Sequence, residues 1–267
     1  MTVRVDFPAD RPLAGMVHLD ALPGAPCFDG DRAAVREAAL RDARRLEAGG
    51  VDAVLVENFG DAPFHADSVP KHVVASMAAL VREVVAEVDV PVGANVLRND
   101  AEAAVSVAAA AGADFVRVNV HTGARLTDQG VVEGDAAETM RLRDHLDADV
   151  AVFADVDVKH SAALADRPLG EAVDELIERG LADGLVASGP GTGAGADLDH
   201  VRAVADARDD VDPDVPVFVG SGVTQETVGE TLDAADGAIV GTALKAGGET
   251  TAPVDEDRVR ALVAAKP

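Results

Sequence analysis

Apolar residues recur in short runs where every second position is hydrophobic, and each run is followed by a stretch whose apolar positions repeat every three to four residues. The first pattern predicts strands near 14–20, 51–58, 91–97, 113–120, 150–158, 183–188, 215–220 and 237–241. The second predicts helices near 31–48, 70–88, 100–111, 135–146, 168–180, 198–208, 224–234 and 255–264. Asp100 and Thr224 stand where helix N-caps are expected. Gly49-Gly50, Gly112 and Gly180 stand where left-handed C-caps are expected. Eight strand–helix units in 267 residues predict one α/β domain over residues 1–267, a single (β/α)8 TIM barrel. A doubly wound open sheet would bring a glycine-rich fingerprint after its first strand, where this chain has "HLDALPGAPCF".

The alternation also says which side chains look where. In "VAVFADVDVKHSA", Val152, Ala154, Val156 and Val158 form an apolar set that must pack on helices. Asp155, Asp157 and Lys159 then face the barrel interior or its upper rim, where barrel enzymes keep their chemistry. The same parity puts His18 and Asp20 on one face of the first strand, Glu57 on the second, Asn95 on the third, and Arg117, Asn119 and His121 on the fourth. Buried charges cost several kcal/mol (roughly) unless paired, and apolar residues serve a core as well. A rim of this kind is therefore read as a site, with a purely structural ion-pair network as the bland alternative.

The last three strands run into glycine: "ASGPGTGAG", "VGSGV" and "IVGTALKAGG". Glycine lets backbone N–H groups approach an anion, and barrels often hold a phosphate with the loops after strands seven and eight. Gly220, Ser221, Gly222, Gly241 and Thr242 are the expected phosphate ligands, with Lys245 near enough in sequence to add charge. The loop 189–195 lacks the Gly-Lys-Ser/Thr ending of a nucleotide P-loop and reads as a rim or lid. The long loops "NFGDAPFHADSVPK" and "HTGARLTDQGVVEGD" are expected to fold over the mouth. His65, His72, His145 and His200 read as surface residues.

Composition narrows the partners. Forty-eight acidic residues against 23 basic ones give a net charge of −25, spread along the chain as on a halophile's solvated surface. Such a surface repels nucleic acid and anionic membranes, and a chain with no Trp, no Tyr and seven Phe offers few stacking platforms. The single cysteine, Cys27, fits a reducing interior, and no run reaches signal-peptide or membrane-spanning length, so a cytosolic protein is expected, with a homo-oligomer open.

Together the segments "MVHLDALPGAP", "VENFGDAPF", "VGANVLRND", "VRVNVHTGA", "VFADVDVKHSA" and "VGSGV" resemble the BtpA family, which includes SgcQ-like proteins. The resemblance implies a barrel of the phosphate-binding kind. The family's name comes from a role in photosystem I accumulation in cyanobacteria, so it also implies an alternative, a non-catalytic assembly or stability factor.

The residues themselves favour an enzyme acting on a phosphorylated sugar or nucleoside-derived phosphate, by isomerisation, epimerisation or lyase-type cleavage. In that picture Lys159 is a proton donor, electrostatic stabiliser or Schiff-base amine, tuned by Asp155 and Asp157. Glu57 or His18 is the general base, and Asn95 and Asn119 bind hydroxyls. Asp155 and Asp157, with Glu57 or Asp20, also offer hard oxygen ligands for Mg²⁺, in competition with the adjacent ammonium of Lys159. Zinc has less support, because His18 and His121 have no Cys or His companions at the usual spacing.

Overall fold

The computed structural model describes residues 2–158, 161–188 and 197–267. Eight parallel strands close into a barrel: β1 (Leu13–His18), β2 (Ala53–Glu57), β3 (Val92–Asn95), β4 (Phe115–Val118), β7 (Ala151–Asp155), β9 (Gly184–Ala187), β10 (Val217–Gly220) and β11 (Gly237–Val240). Neighbouring strands pair in chain order, and β11 returns to β1 through Leu13↔Ala238. Helices α1 (Arg32–Gly49), α2 (Lys71–Glu87), α3 (Ala101–Ala111), α4 (Ala136–His145), α5 (Leu169–Asp174), α6 (Leu198–Asp209), α7 (Val228–Ala234) and α8 (Glu256–Val263) alternate with them. The expected (β/α)8 barrel is the observed fold.

Two cores result from strand parity. The outward positions, such as Val54, Val116, Val152 and Val217, pack under the helices. The inward positions Met16, Leu55, Phe115, Phe153, Phe218 and Ile239 fill the lower barrel. Three of the inward residues are phenylalanines, and each lies against a glycine of an adjacent strand. A Cβ at Gly93, Gly184 or Gly237 would run into the ring of Phe115, Phe153 or Phe218. Phe7 joins them from the N-terminal segment, with ring centroids 5.6 Å from Phe218 and 6.1 Å from Phe115. The bottom of the barrel is thus closed by an apolar plug, and polar inward side chains gather at the other end.

A repeated device fixes strand pairs at the bottom. Asp52, Asp114, Asp183 and Asp236 each stand just before β2, β4, β9 and β11. Their carboxylates accept from the backbone N–H of Leu13 (2.9 Å), Val92 (2.8 Å), Val152 (2.8 Å) and Val217 (2.8 Å) on the preceding barrel strand. Lys266, Arg143 and Arg208 neutralise Asp52, Asp183 and Asp236.

Several local expectations are corrected. The chain between β4 and α4 is a hairpin, β5 (Ala124–Thr127) and β6 (Gly130–Glu133), not a plain loop. Together with β8 (Ser161–Ala163) it forms an antiparallel sheet in the order β6-β5-β8. The helix expected over 168–180 is α5 followed by a wider turn at Glu175–Arg179. Gly180 has φ −83°, and it is Leu181 that takes φ 54°, so the left-handed residue comes one position later than expected. Gly50 and Gly112 are left-handed caps as expected. Asp100 caps α3 by accepting from Ala103 N–H at 2.8 Å. Thr224 does not cap α7, which starts only at Val228. Instead the Thr224 N–H donates to Thr227 Oγ1 at 3.0 Å in a preceding turn.

Candidate functional site

The last inward residues of the strands line the mouth. His18 and Glu57 end β1 and β2 in register, and Glu57 pairs in register with Asn95 at the end of β3. Arg117 rises from β4 and Asp155 ends β7. His18, Glu57, Arg117 and Asp155 share a cavity of about 330 Å³ with Asn119, and with Phe59 and Phe64 from the loop after β2, while Asn95 lies behind Glu57. That loop folds over the mouth as expected, its Phe59 ring 4.8 Å from the His18 imidazole.

The polar contacts are specific. Arg117 clasps Asp155 bidentately, Nε to Oδ1 at 2.8 Å and Nη2 to Oδ2 at 2.9 Å. Asn119 Nδ2 donates to the same carboxylate at 3.0 Å. Asn95 Nδ2 donates to Glu57 Oε2 at 2.6 Å, and His18 Nε2 lies 3.9 Å from Glu57 Oε1. A carbonyl only accepts, so the 3.1 Å contact of His18 Nδ1 with Thr250 C=O puts the ring proton on Nδ1 and leaves Nε2 facing Glu57.

Burial sets the protonation. Desolvation, then the nearby Lys245 charge, pushes His18 down to about 4, so the ring is neutral at pH 7. Burial pushes the Glu57 carboxyl up, against the pull of Arg117 and the Asn95 hydrogen bond. Glu57 therefore keeps its proton to higher pH than an exposed glutamate. A neutral imidazole and a carboxyl group whose proton is held more tightly than usual, 3.9 Å apart in one cavity, are suited to serve as an acid–base pair.

A second cavity, of about 520 Å³, adjoins the first and shares Ser221, Gly241 and Thr242 with it. It lies over the exits of β10 and β11, where the phosphate ligands are expected. Ser221 has φ 94°, a left-handed backbone that costs a non-glycine residue about 1–3 kcal/mol. Its buried Oγ has no hydrogen-bond partner among the described residues. Missing Cβ atoms matter here as well: one at Gly220 would collide with Val186 and crowd Arg117, and one at Gly241 would press on the His18 ring. The cation of this corner is Arg258 of α8, whose Nε donates to Ala243 C=O at 2.8 Å. It is not Lys245, which is 1 % exposed with Nζ 3.1 Å from Asp42 Oδ2 of α1 and lines neither cavity.

Other expectations fare differently. The strand ends at Asp155, so the alternation that placed Asp157 beside it does not continue. Asp157 sits in a bend, 3.3 Å from Arg125 Nη1 and 3.0 Å from His200 Nε2. Both contacts hold its carboxyl low, that of His200 most strongly. His200 is therefore a paired residue whose pKa is raised by Asp157, not a bystander on the surface. Val158, expected under the helices, instead lines the mouth. Lys159 and the loop 189–195 lie outside the described residues. The expected Mg²⁺ ligands do not converge: Asp155 is held by Arg117 and Asn119, Asp157 by Arg125 and His200, and Asp20 is exposed. Among the described residues no three His, Cys, Asp or Glu side chains are grouped to hold a metal ion.

The parity reading missed Arg98, Phe59, Phe64, Thr250 and Arg258, which come from loops or an outer helix. Asn58 and Asn99 were missed too. The Asn58 side chain accepts from Leu97 N–H at 2.7 Å, and Asn99 accepts from Val120 N–H at 2.7 Å, so side-chain amides continue the sheet beyond β2 and β3. An Asn closing one predicted strand (51–58) and another two residues beyond the next (91–97) was the signal available. No helix among the described residues is long and apolar enough to cross a membrane.

Fold and mouth together define a parallel (β/α)8 barrel with a polar cavity at its C-terminal end. Among solved structures the chain is similar to a 3-hexulose-6-phosphate synthase, with TM-score 0.61 and 19 % identity over 96 % of this chain and 100 % of that one. It is also similar to the N-(5'-phosphoribosyl)anthranilate isomerase of Pyrococcus furiosus, with TM-score 0.55 and 15 % identity over 96 % and 98 % of the two chains. In sequence it is 44 % identical to the photosystem I biogenesis protein BtpA of a Synechocystis strain, over 97 % of this chain and 89 % of the relative. It is 48 % identical to an uncharacterized protein of Thermococcus kodakarensis, over 95 % and 94 %. The model of the BtpA family matches residues 9–266, and the chain belongs to that family.

Proposed function

We propose that this protein is an enzyme that relocates a proton on a phosphorylated sugar or nucleoside-derived phosphate, in the manner of an isomerase or epimerase. One observation carries this reading: His18 and Glu57 face each other in the cavity that ends at Ser221, Gly241 and Thr242. The phosphate lies against the backbone of 220–222 and 241–242, with Ser221 Oγ donating and Arg258 adding charge. The reacting carbons lie between His18 and Glu57. Between them His18 and Glu57 take a proton from the carbon next to a carbonyl and return one to the carbonyl oxygen. Arg117, fixed by Asp155, and Arg98 stabilise the negative charge that develops. Two arginines in the mouth of a molecule carrying a net −25 also make it a local trap for an anion. The names of the two structural neighbours, a hexulose-phosphate synthase and a phosphoribosylanthranilate isomerase, agree with a phosphorylated substrate.

The test combines binding and exchange. Pentose and hexose phosphates are screened by thermal shift, and the binders are incubated in D2O and followed by NMR. Wild-type protein is expected to wash deuterium into a carbon of one binder. His18→Gln is expected to slow this by about 10²–10⁴-fold while binding persists. Ser221→Gly is expected to weaken binding about tenfold and to stabilise the fold by ~1 kcal/mol through relief of the left-handed serine. No exchange with any binder, or equal exchange in the His18 variant, removes this mechanism.

A second reading rests on the name of the Synechocystis relative: the barrel serves assembly of a larger complex without catalysis. It predicts that the double variant His18→Gln, Glu57→Gln complements a deletion strain as well as wild type, whereas the enzyme reading predicts failure.

A further inference from the structure

The mouth continues past the acid–base pair into a third cavity of about 490 Å³, over the exits of β4 and β7. Asn119 and Asp155 line both spaces. Asn119 is 5 % exposed, and its Nδ2 is committed to Asp155. Its Oδ1 is a buried acceptor with no partner among the described residues. A buried acceptor left unmatched is costly unless a ligand supplies the donor.

Beyond Asn119 the wall is held ready. Arg125 Nε donates to Ser161 Oγ at 2.6 Å, and that hydroxyl donates to Val158 C=O at 2.6 Å. Arg125 Nη1 and His200 fix the Asp157 carboxylate. A guanidinium has five N–H groups and a carboxylate about four acceptor positions, so Arg125 and Asp157 retain donors and acceptors side by side. The charges are mixed: Arg125 and Arg167 face Asp155, Asp157 and Asp166, and Arg167 is further tied to Glu175. An anionic group gains nothing from the described residues there. No Phe, Tyr or Trp lines this cavity among the described residues, and its imidazole, His200, is held at Asp157, so a planar base finds no open stacking platform there. Adjacent donors and acceptors without net positive charge match the hydroxyls of a neutral sugar.

Resting on the reading of the mouth given above, we propose that the substrate has two units: a phosphorylated sugar bound from Ser221 to Glu57, and a second, neutral hydroxylated unit bound by Asn119, Arg125 and Asp157. The acid–base pair then works on the phosphorylated unit, and the far cavity sets specificity.

The test is calorimetric titration of the full-length protein with inorganic phosphate, ribose 5-phosphate and three phosphorylated disaccharides (the 6-phosphates of trehalose, sucrose and lactose). At least one disaccharide phosphate is expected to bind about tenfold tighter than ribose 5-phosphate, the scale of one added hydrogen bond to a charged group. Arg125→Ala is expected to abolish that advantage while the Kd for ribose 5-phosphate stays at its wild-type value. Asn119→Ala serves as a second variant, and thermal midpoints show that both are folded. No gain from any second sugar, or a gain that survives both variants, overturns the two-unit substrate and leaves the phosphate reading standing. Failure of wild type to bind either phosphate or ribose 5-phosphate would instead count against the mouth as a phosphate site.

Discussion

His18 donates its only ring proton to a backbone carbonyl and is buried beside Phe59, so charging it means adding a proton where water cannot follow. Its pKa falls from the ordinary 6.5 to about 4. Between these values the unfolded chain binds a proton that the native state refuses, so stability rises with pH across this window. The stabilisation is complete above 6.5 and is lost as pH falls towards about 4. A His18→Gln variant is expected to show a flatter stability profile over that window in urea titrations at stepped pH, and NMR of the wild-type imidazole should give a midpoint near 4. At this scale the alternation of "GMVH", "VLVE" and "FAD" was enough to aim His18, Glu57 and Asp155 into the mouth, and that of "GAN" to set Asn95 against Glu57. It failed at Asp157, because a strand's two-residue period says nothing about where the strand stops.

Strand pairs are joined by carboxylates that the sequence shows only as an Asp before every second strand. Each replaces water around a strand-start N–H with a charge-assisted bond, which is why those residues are Asp and not apolar. The phenylalanine plug depends in the same way on bare positions next door. Gly184→Val is expected to cost ~2 kcal/mol in urea unfolding, the usual scale for overpacking, because its side chain enters the space of the Phe153 ring. Combined with Phe153→Leu, the loss should shrink. An equal loss in both backgrounds would mean that the ring is not the obstacle. The hairpin of β5 and β6 was not legible as structure. "ARLT" and "GVVE" are four residues each, Arg125 faces inward to Asp157, and Leu126 is exposed, so neither strand presents a clean apolar face.

Across the whole molecule the net −25 opposes compaction. The Debye length shrinks from about 10 Å to about 3 Å between 0.1 M and 1 M salt. Raising KCl over that range is therefore expected to raise Tm by several degrees, and a Tm unchanged or lowered would mean that exposed carboxylates are not the limiting repulsion. Sequence alone determined the barrel, the inward face of β1 to β4 and of β7 as far as Asp155, and the glycine-rich exits of β10 and β11, because period and backbone permissiveness are local properties. Only the tertiary structure decided that Lys245 is buried under α1 while Arg258 lines the cavity over the exits of β10 and β11. It alone paired Asp157 with His200 and set a neutral imidazole against a carboxyl group. Burial and charge depend on what other segments bring to the same place, and those segments lie tens to hundreds of residues apart in this chain.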